Sequence, residues 1–129
     1  MSVFRSVVAL LGGFAIMAML VLVLTALAAW ATGVRALEPT RTYLALNLAA
    51  SAFAAAAGGY STAALAPGRP RAHALGLAAM ILAMAASQIG HPQPGQPAWY
   101  PAALAVIGPL FALAGGMLRR PRRNPVPSP

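Results

Sequence analysis

Four long runs without a charged side chain, separated by short segments that hold the arginines, decide what this chain can fold into. They cover about residues 7–31, 43–66, 73–90 and 101–118. A helix that crosses the hydrocarbon core of a bilayer needs ~20 predominantly apolar residues, with a tolerated range of ~17 to ~25. All four runs fall within or close to that range. The expected fold is therefore all-α, an integral membrane bundle of four transmembrane helices in up-down order. The first run is too long for the h-region of a cleaved signal peptide, ~7–15 residues, and reads as a retained span. Composition agrees: 60% of the 129 residues are hydrophobic and 8% are charged, whereas a soluble domain carries roughly 25% charged residues.

Arginine placement sets the expected orientation. Arg5, Arg69, Arg71, Arg119, Arg120, Arg122 and Arg123 fall on one side of the four spans, and Arg35 and Arg41, with Glu38 between them, fall on the other. Positive residues collect in cytoplasmic loops, so both termini are expected inside. Trp30, Tyr43, Trp99 and Tyr100 stand at span ends on the opposite side, where amphipathic rings favour the headgroup layer. A chain with arginine but no lysine, and with abundant alanine, fits a GC-rich bacterial genome, which makes the inner (cytoplasmic) membrane the expected location. The net charge of +8 does not indicate nucleic acid, because the arginines punctuate apolar runs instead of forming a patch. Arg69, Arg71, His73 and the tail arginines are expected at lipid headgroups. The tail, residues 119–129, reads "RRPRRNPVPSP"; it is basic and proline-rich, and cannot form a core of its own.

Glycines form the second pattern. Gly58 and Gly59 lie inside the second span, where a turn would leave backbone groups unpaired in lipid, so the helix is expected to run through them and stop at Pro67-Gly68-Arg69-Pro70. Asn47, Ser51, Ala54, Gly58 and Thr62 recur at helical spacing and share a small, weakly polar face. Gly12 and Gly13 in the first span, Gly76, Ala79, Ala83 and Ser87 in the third, and Gly108, Ala112 and Gly116 beside Gly115 in the fourth repeat the device. Small residues let membrane helices approach closely. Most of the glycines fall in the expected cytoplasmic half, where the helices are expected to crowd. These faces exceed what a lone small bundle needs, and so point to association. Pro109 removes one hydrogen bond to the Ala105 carbonyl and should bend the fourth helix. Tyr43 precedes Gly58-Gly59 by the interval that separates Tyr100 from Gly115-Gly116, a weak internal repeat.

Chemistry is sparse. Without cysteine there are no disulfides or thiolate sites. His73 and His91 stand at opposite ends of the third span, ~27 Å apart at helical rise, so no metal and no other cofactor is expected. Glu38, the sole carboxylate, lies in a loop between arginines and has no partner for acid–base work; catalysis is not expected. Thr25, Tyr60, Ser61 and Thr62 are further polar residues within the spans. Should a solute cross or bind, its path is expected along Tyr43, Asn47, Ser51, Ser87 and Gln88. Small multidrug exporters resemble the chain in size, but they depend on a glutamate in the first span that is missing here. "LNLAASAF", from Leu46, resembles fluoride channels only in that span.

The segments "GGYSTAALAPGRPRAHALGL", from Gly58, and "PAWYPAALAVIGPLFALAGGMLRR", from Pro97, resemble patterns that recur in small bacterial four-span membrane proteins with no assigned activity. The resemblance implies the same architecture and no particular chemistry. The expected function is that of a non-enzymatic accessory or interaction subunit, a homo-oligomer or part of a larger membrane complex. An oligomeric small-solute transporter or channel is the alternative, and lipid or quinone binding by the glycine-rich half is a third reading.

Overall fold

The computed structural model describes residues 3–33, 40–66, 68–91 and 93–119. It contains four helices: α1 (Val3–Thr32), α2 (Arg41–Leu65), α3 (Pro70–Ile89) and α4 (Trp99–Leu118). Each is long and apolar enough to cross a membrane. At 1.5 Å per residue, even the shorter helices reach ~30 Å, the thickness of a bilayer core. The tail from Arg120 onward, and with it Arg122 and Arg123, lies outside the described residues, as do Arg35 and Glu38.

The ends of the helices follow local chemistry. The Thr40 hydroxyl accepts a hydrogen bond from the Tyr43 amide at 3.2 Å and caps α2, which consequently starts at Arg41, ahead of the expected Tyr43. Pro70 does not terminate α2; it is the first residue of α3, where its missing N–H costs nothing. The break comes earlier: α2 ends at Leu65, and Ala66, which precedes a proline, is extended with ψ of 128°; Gly68 then turns the chain with a φ of +80°, open to glycine without steric cost. Between α3 and α4, Gln93-Pro94-Gly95-Gln96 closes with a hydrogen bond from the Gln96 amide to the Gln93 carbonyl at 3.2 Å. Proline second and a positive-φ glycine third make this a type II turn.

Contacts between named residues give the helix directions. Gly13 packs on Gly58 and Thr62 at one end of the α1–α2 pair, and Thr25 bonds Asn47 toward the other, so the two run antiparallel. In α2 and α4, Asn47 meets Tyr100 and Gly59 meets Ala112, so these run parallel. Ala74 faces Gly116 and Ile81 faces Gly108, making α3 and α4 antiparallel. The start of α1 and the end of α4 therefore share one end of the bundle. Around the bundle the order is α1, α2, α4, α3, with only slight contact between α3 and α1, and among the described residues α1 and α4 do not meet.

The glycines carry the close approaches. A Cβ on Gly59 would overlap the Ala112 carbonyl, and one on Gly115 would overlap the Ala56 carbonyl, so α2 and α4 touch backbone to backbone. A Cβ on Gly58 would lie 2.8 Å from Met17 Cβ and 3.0 Å from the Gly13 carbonyl. One on Gly12 would come within 2.9 Å of Leu65 Cδ1, one on Gly108 within 2.6 Å of Ile81 Cγ2, and one on Gly76 within 3.2 Å of Leu10 Cδ2. The glycine pairs Gly12-Gly13, Gly58-Gly59 and Gly115-Gly116 all mark the end at which α1 starts and α4 stops. The small faces are thus largely consumed within the chain itself. Beside them, Ala55, Leu77, Ala78, Ile81 and Ala112 form the core cluster.

The third helix departs from expectation. Its buried residues are His73, Ala74, Leu77, Ala78 and Ile81, while Ala79, Ala83 and Ser87 face outward and Gly76 is half-buried. Leu77 and Ile81 fill the space beside Gly108 and Ala112, and alanines on the opposite face cannot do so. The repeat does not correspond to equivalent roles either. Gly58 faces α1 while Gly115, its counterpart, faces α2; Tyr43 is half-buried while Tyr100 is enclosed.

Thr62 is fully buried, and its hydroxyl has no hydrogen-bond partner. Leaving a hydroxyl unpaired costs roughly 1–3 kcal/mol, and valine keeps the shape. Thr62→Val is therefore expected to stabilise the protein by about 1 kcal/mol, measured by equilibrium unfolding in mixed detergent micelles. A loss of stability would mean that the hydroxyl is in fact bonded.

Candidate functional site

At the end of the bundle remote from the start of α1 and the end of α4, α1, α2 and α4 are joined by side chains. The Thr25 hydroxyl donates to Asn47 Oδ1 at 2.7 Å, and Asn47 Nδ2 donates to the Tyr100 hydroxyl. Such groups are placed in hydrocarbon at a cost unless they find one another, which is what these three do. Tyr100 is only 1% exposed and is among the largest fully buried side chains. Its ring meets Trp99 edge to face, centroids 5.9 Å apart. This corrects the expectation that all four outer aromatics sit in the headgroup layer. Trp30 is 83% exposed and Trp99 54%, but Tyr100 belongs to the interior. A signal for this was present: Gly116, Ala112 and Gly108 step back by fours to Leu104 and Tyr100, along one face of α4.

Next to this chain of hydrogen bonds lies a cavity of about 190 Å³, bounded by all four helices. Met17 and Val21 of α1, Ser51 of α2, Met84 and Gln88 of α3 and Leu104 of α4 contribute to its wall. Gly108 and Ile81 line it as well, packed so closely that a Cβ on Gly108 would come within 2.6 Å of Ile81 Cγ2. The wall is hydrocarbon apart from the Ser51 hydroxyl and the Gln88 carboxamide.

The sequence-predicted path residues separate in space. Ser51 and Gln88 share the cavity wall. Asn47 is committed to Thr25 and Tyr100, and Tyr43 is half-buried near the start of α2. Ser87 faces outward, and its hydroxyl donates to the carbonyl of Met84 in its own helix at 2.7 Å. The apolar wall residues Met17, Val21, Met84 and Leu104 carried no chemical signal in the sequence and were not anticipated.

Of the expected headgroup contacts, Arg69 and Arg71 are exposed and Arg119 is half-buried. His73 is a correction: it is buried, and its Nδ1 lies 2.8 Å from the Arg69 carbonyl. The ring folds back over the first turn of α3, whose start at Pro70 places His73 inside the bundle. His91 is exposed, with Nδ1 3.1 Å from the Ser87 carbonyl. Among the described residues no group of three or more histidine, cysteine or carboxylate side chains could hold a metal.

Comparison with protein-family models, with curated proteins and with solved structures finds no match to this chain.

Proposed function

We propose that this protein is a non-enzymatic accessory or interaction subunit of a bacterial cytoplasmic membrane, with both termini inside, which acts by packing against other membrane-spanning helices. What supports the reading most is the contrast between its interior and one outer face. The interior polar groups Thr25, Asn47 and Tyr100 satisfy one another, which leaves that trio unavailable to a polar solute. The outer face of α3, by contrast, exposes Ala72, Ala79, Ala83 and Ala86 along one strip. Lipid gains nothing from such a strip, while a second helix gains close contact along it. The occupant is a second copy of this chain or a larger membrane complex.

The test leaves the bundle intact. Ala79 and Ala83 face outward, so Ala79→Leu with Ala83→Leu should leave the unfolding midpoint unchanged. Native mass spectrometry of protein extracted into lipid nanodiscs should show the wild type with a second polypeptide, and the double variant with less than half as much. A wild-type chain found alone would sink the association reading.

A further inference from the structure

The cavity among the four helices does more than interrupt the packing. Its wall combines features that call for a particular kind of occupant. The exposed members of that wall, Met84 and Gln88, are on α3, and across from them stand Met17 and Val21 of α1. Helices α1 and α3 touch at Gly76 and Leu10 toward the start of both helices, and toward the other end the cavity lies between them. The chain thus leaves a side entrance between α1 and α3 that faces the bilayer. Below it, Ala55, Ile81 and Gly108 are buried and close the inner end.

The second feature is polar. Thr25, Thr32, Asn47, Ser87 and Tyr100 all hydrogen-bond within the chain. The side chains of Ser51 and Gln88 make no such bond among the described residues, and both are on the cavity wall. Gln88 lies one residue from the end of α3, at the level where a bilayer changes from hydrocarbon to ester groups. Ser51 is deeper, about 15 Å along α2 from Arg41 at helical rise. An apolar hollow with a hydrogen-bonding group at its mouth and another within suits an amphiphile with a carbonyl beside an apolar chain. At about 190 Å³ the space exceeds the ~150 Å³ in which an apolar protein cavity holds benzene.

We infer that this cavity is a binding site for one acyl chain of a membrane lipid, which enters sideways between α1 and α3 with its ester carbonyl at Gln88. Two sources share the chemistry of a carbonyl next to a long apolar chain, acyl lipids and isoprenoid quinones. A hollow of about 190 Å³ suits a slim, unbranched acyl chain better than a substituted quinone ring with a methyl-branched tail, which favours the first. The site is independent of the outer strip of α3, since Ala79 and Ala83 do not line it.

The probe is dioleoylphosphatidylcholine, whose neutral headgroup minimises attraction to the arginines, titrated into the full chain in detergent and followed by native mass spectrometry. One lipid per chain should be retained. Ser51→Leu, which fills the hollow, should bind about tenfold more weakly, and Gln88→Ala should weaken binding several-fold. Gln88 is exposed, so its variant keeps the question answerable even if the filled variant fails to fold. Equal retention by wild type and both variants would assign the lipid to the outer surface and overturn the proposal. Retention of ubiquinone-1 in place of the phospholipid, with the same dependence on Ser51 and Gln88, would overturn the acyl-lipid assignment in favour of a quinone. The oligomer mass in the same spectra reports separately on association.

Discussion

Gly59→Ala and Gly115→Ala should each strongly destabilise the bundle. A Cβ at either position runs into a backbone carbonyl, that of Ala112 or of Ala56. A flexible side chain could turn aside, but a carbonyl moves only with its helix. Overpacking usually costs about 1–3 kcal/mol, occasionally more, and these two sites belong at the upper end because α2 and α4 must separate along the whole crossing. The double variant should cost less than the sum, since a separation forced by one methyl already admits the other. Gly90→Ala is the control, because a Cβ there has only the Ser87 carbonyl nearby, at 3.8 Å. Equilibrium unfolding in mixed micelles checks the set. If Gly59→Ala were as stable as Gly90→Ala, the backbone contact between α2 and α4 would be wrong.

Loss of the amide that joins three helices should be the next largest effect. Asn47→Leu removes the partner of both Thr25 and Tyr100, and Tyr100 has almost no access to any other. Interhelical hydrogen bonds in membranes are worth ~0.6 kcal/mol on average and up to ~1.7, so two lost together predict about 1–2 kcal/mol. Tyr100→Phe, which keeps the ring and removes one bond, should cost less. In the Asn47→Leu background the Tyr100→Phe substitution should cost nothing further, because the bond is already gone. Unfolding midpoints for the single and double variants measure this coupling, and simple additivity would rule out the bond. Because these substitutions act on the fold, any fall in association they cause differs from that of Ala79→Leu with Ala83→Leu, which should appear without destabilisation.

Much of the architecture was legible because membrane crossing imposes a local requirement: a helix must present a long uncharged run whatever its neighbours are. The number of helices, the continuity through Gly58-Gly59 and the inward ladder of Gly108, Ala112 and Gly116 all follow from that requirement or from helical spacing. Helix faces were harder to read. In α3 small residues occur all round, so the alternation of Gly76, Ala79, Ala83 and Ser87 looked like a packing face although it points away from the bundle. Only Leu77 and Ile81, by filling the space beside α4, distinguish the true interior. Tyr100 was ambiguous for a related reason. An aromatic residue at the end of a span serves equally as a headgroup anchor or as the last rung of an inward face, and the position of Asn47 decides between them.

The sequence by itself determined that four helices cross a bilayer, where each lies along the chain and which stretches are small enough to pack closely. These properties depend on transfer to hydrocarbon and on side-chain size, both of which act residue by residue. Tertiary structure alone decided which glycine faces which carbonyl, that Asn47 is bound to Thr25 and Tyr100, and that Ser51 and Gln88 share a hollow between helices. Those relations depend on the rotation and crossing of helices far apart in the chain. An interior built mostly from alanine and glycine leaves little contrast in the sequence from which to read them.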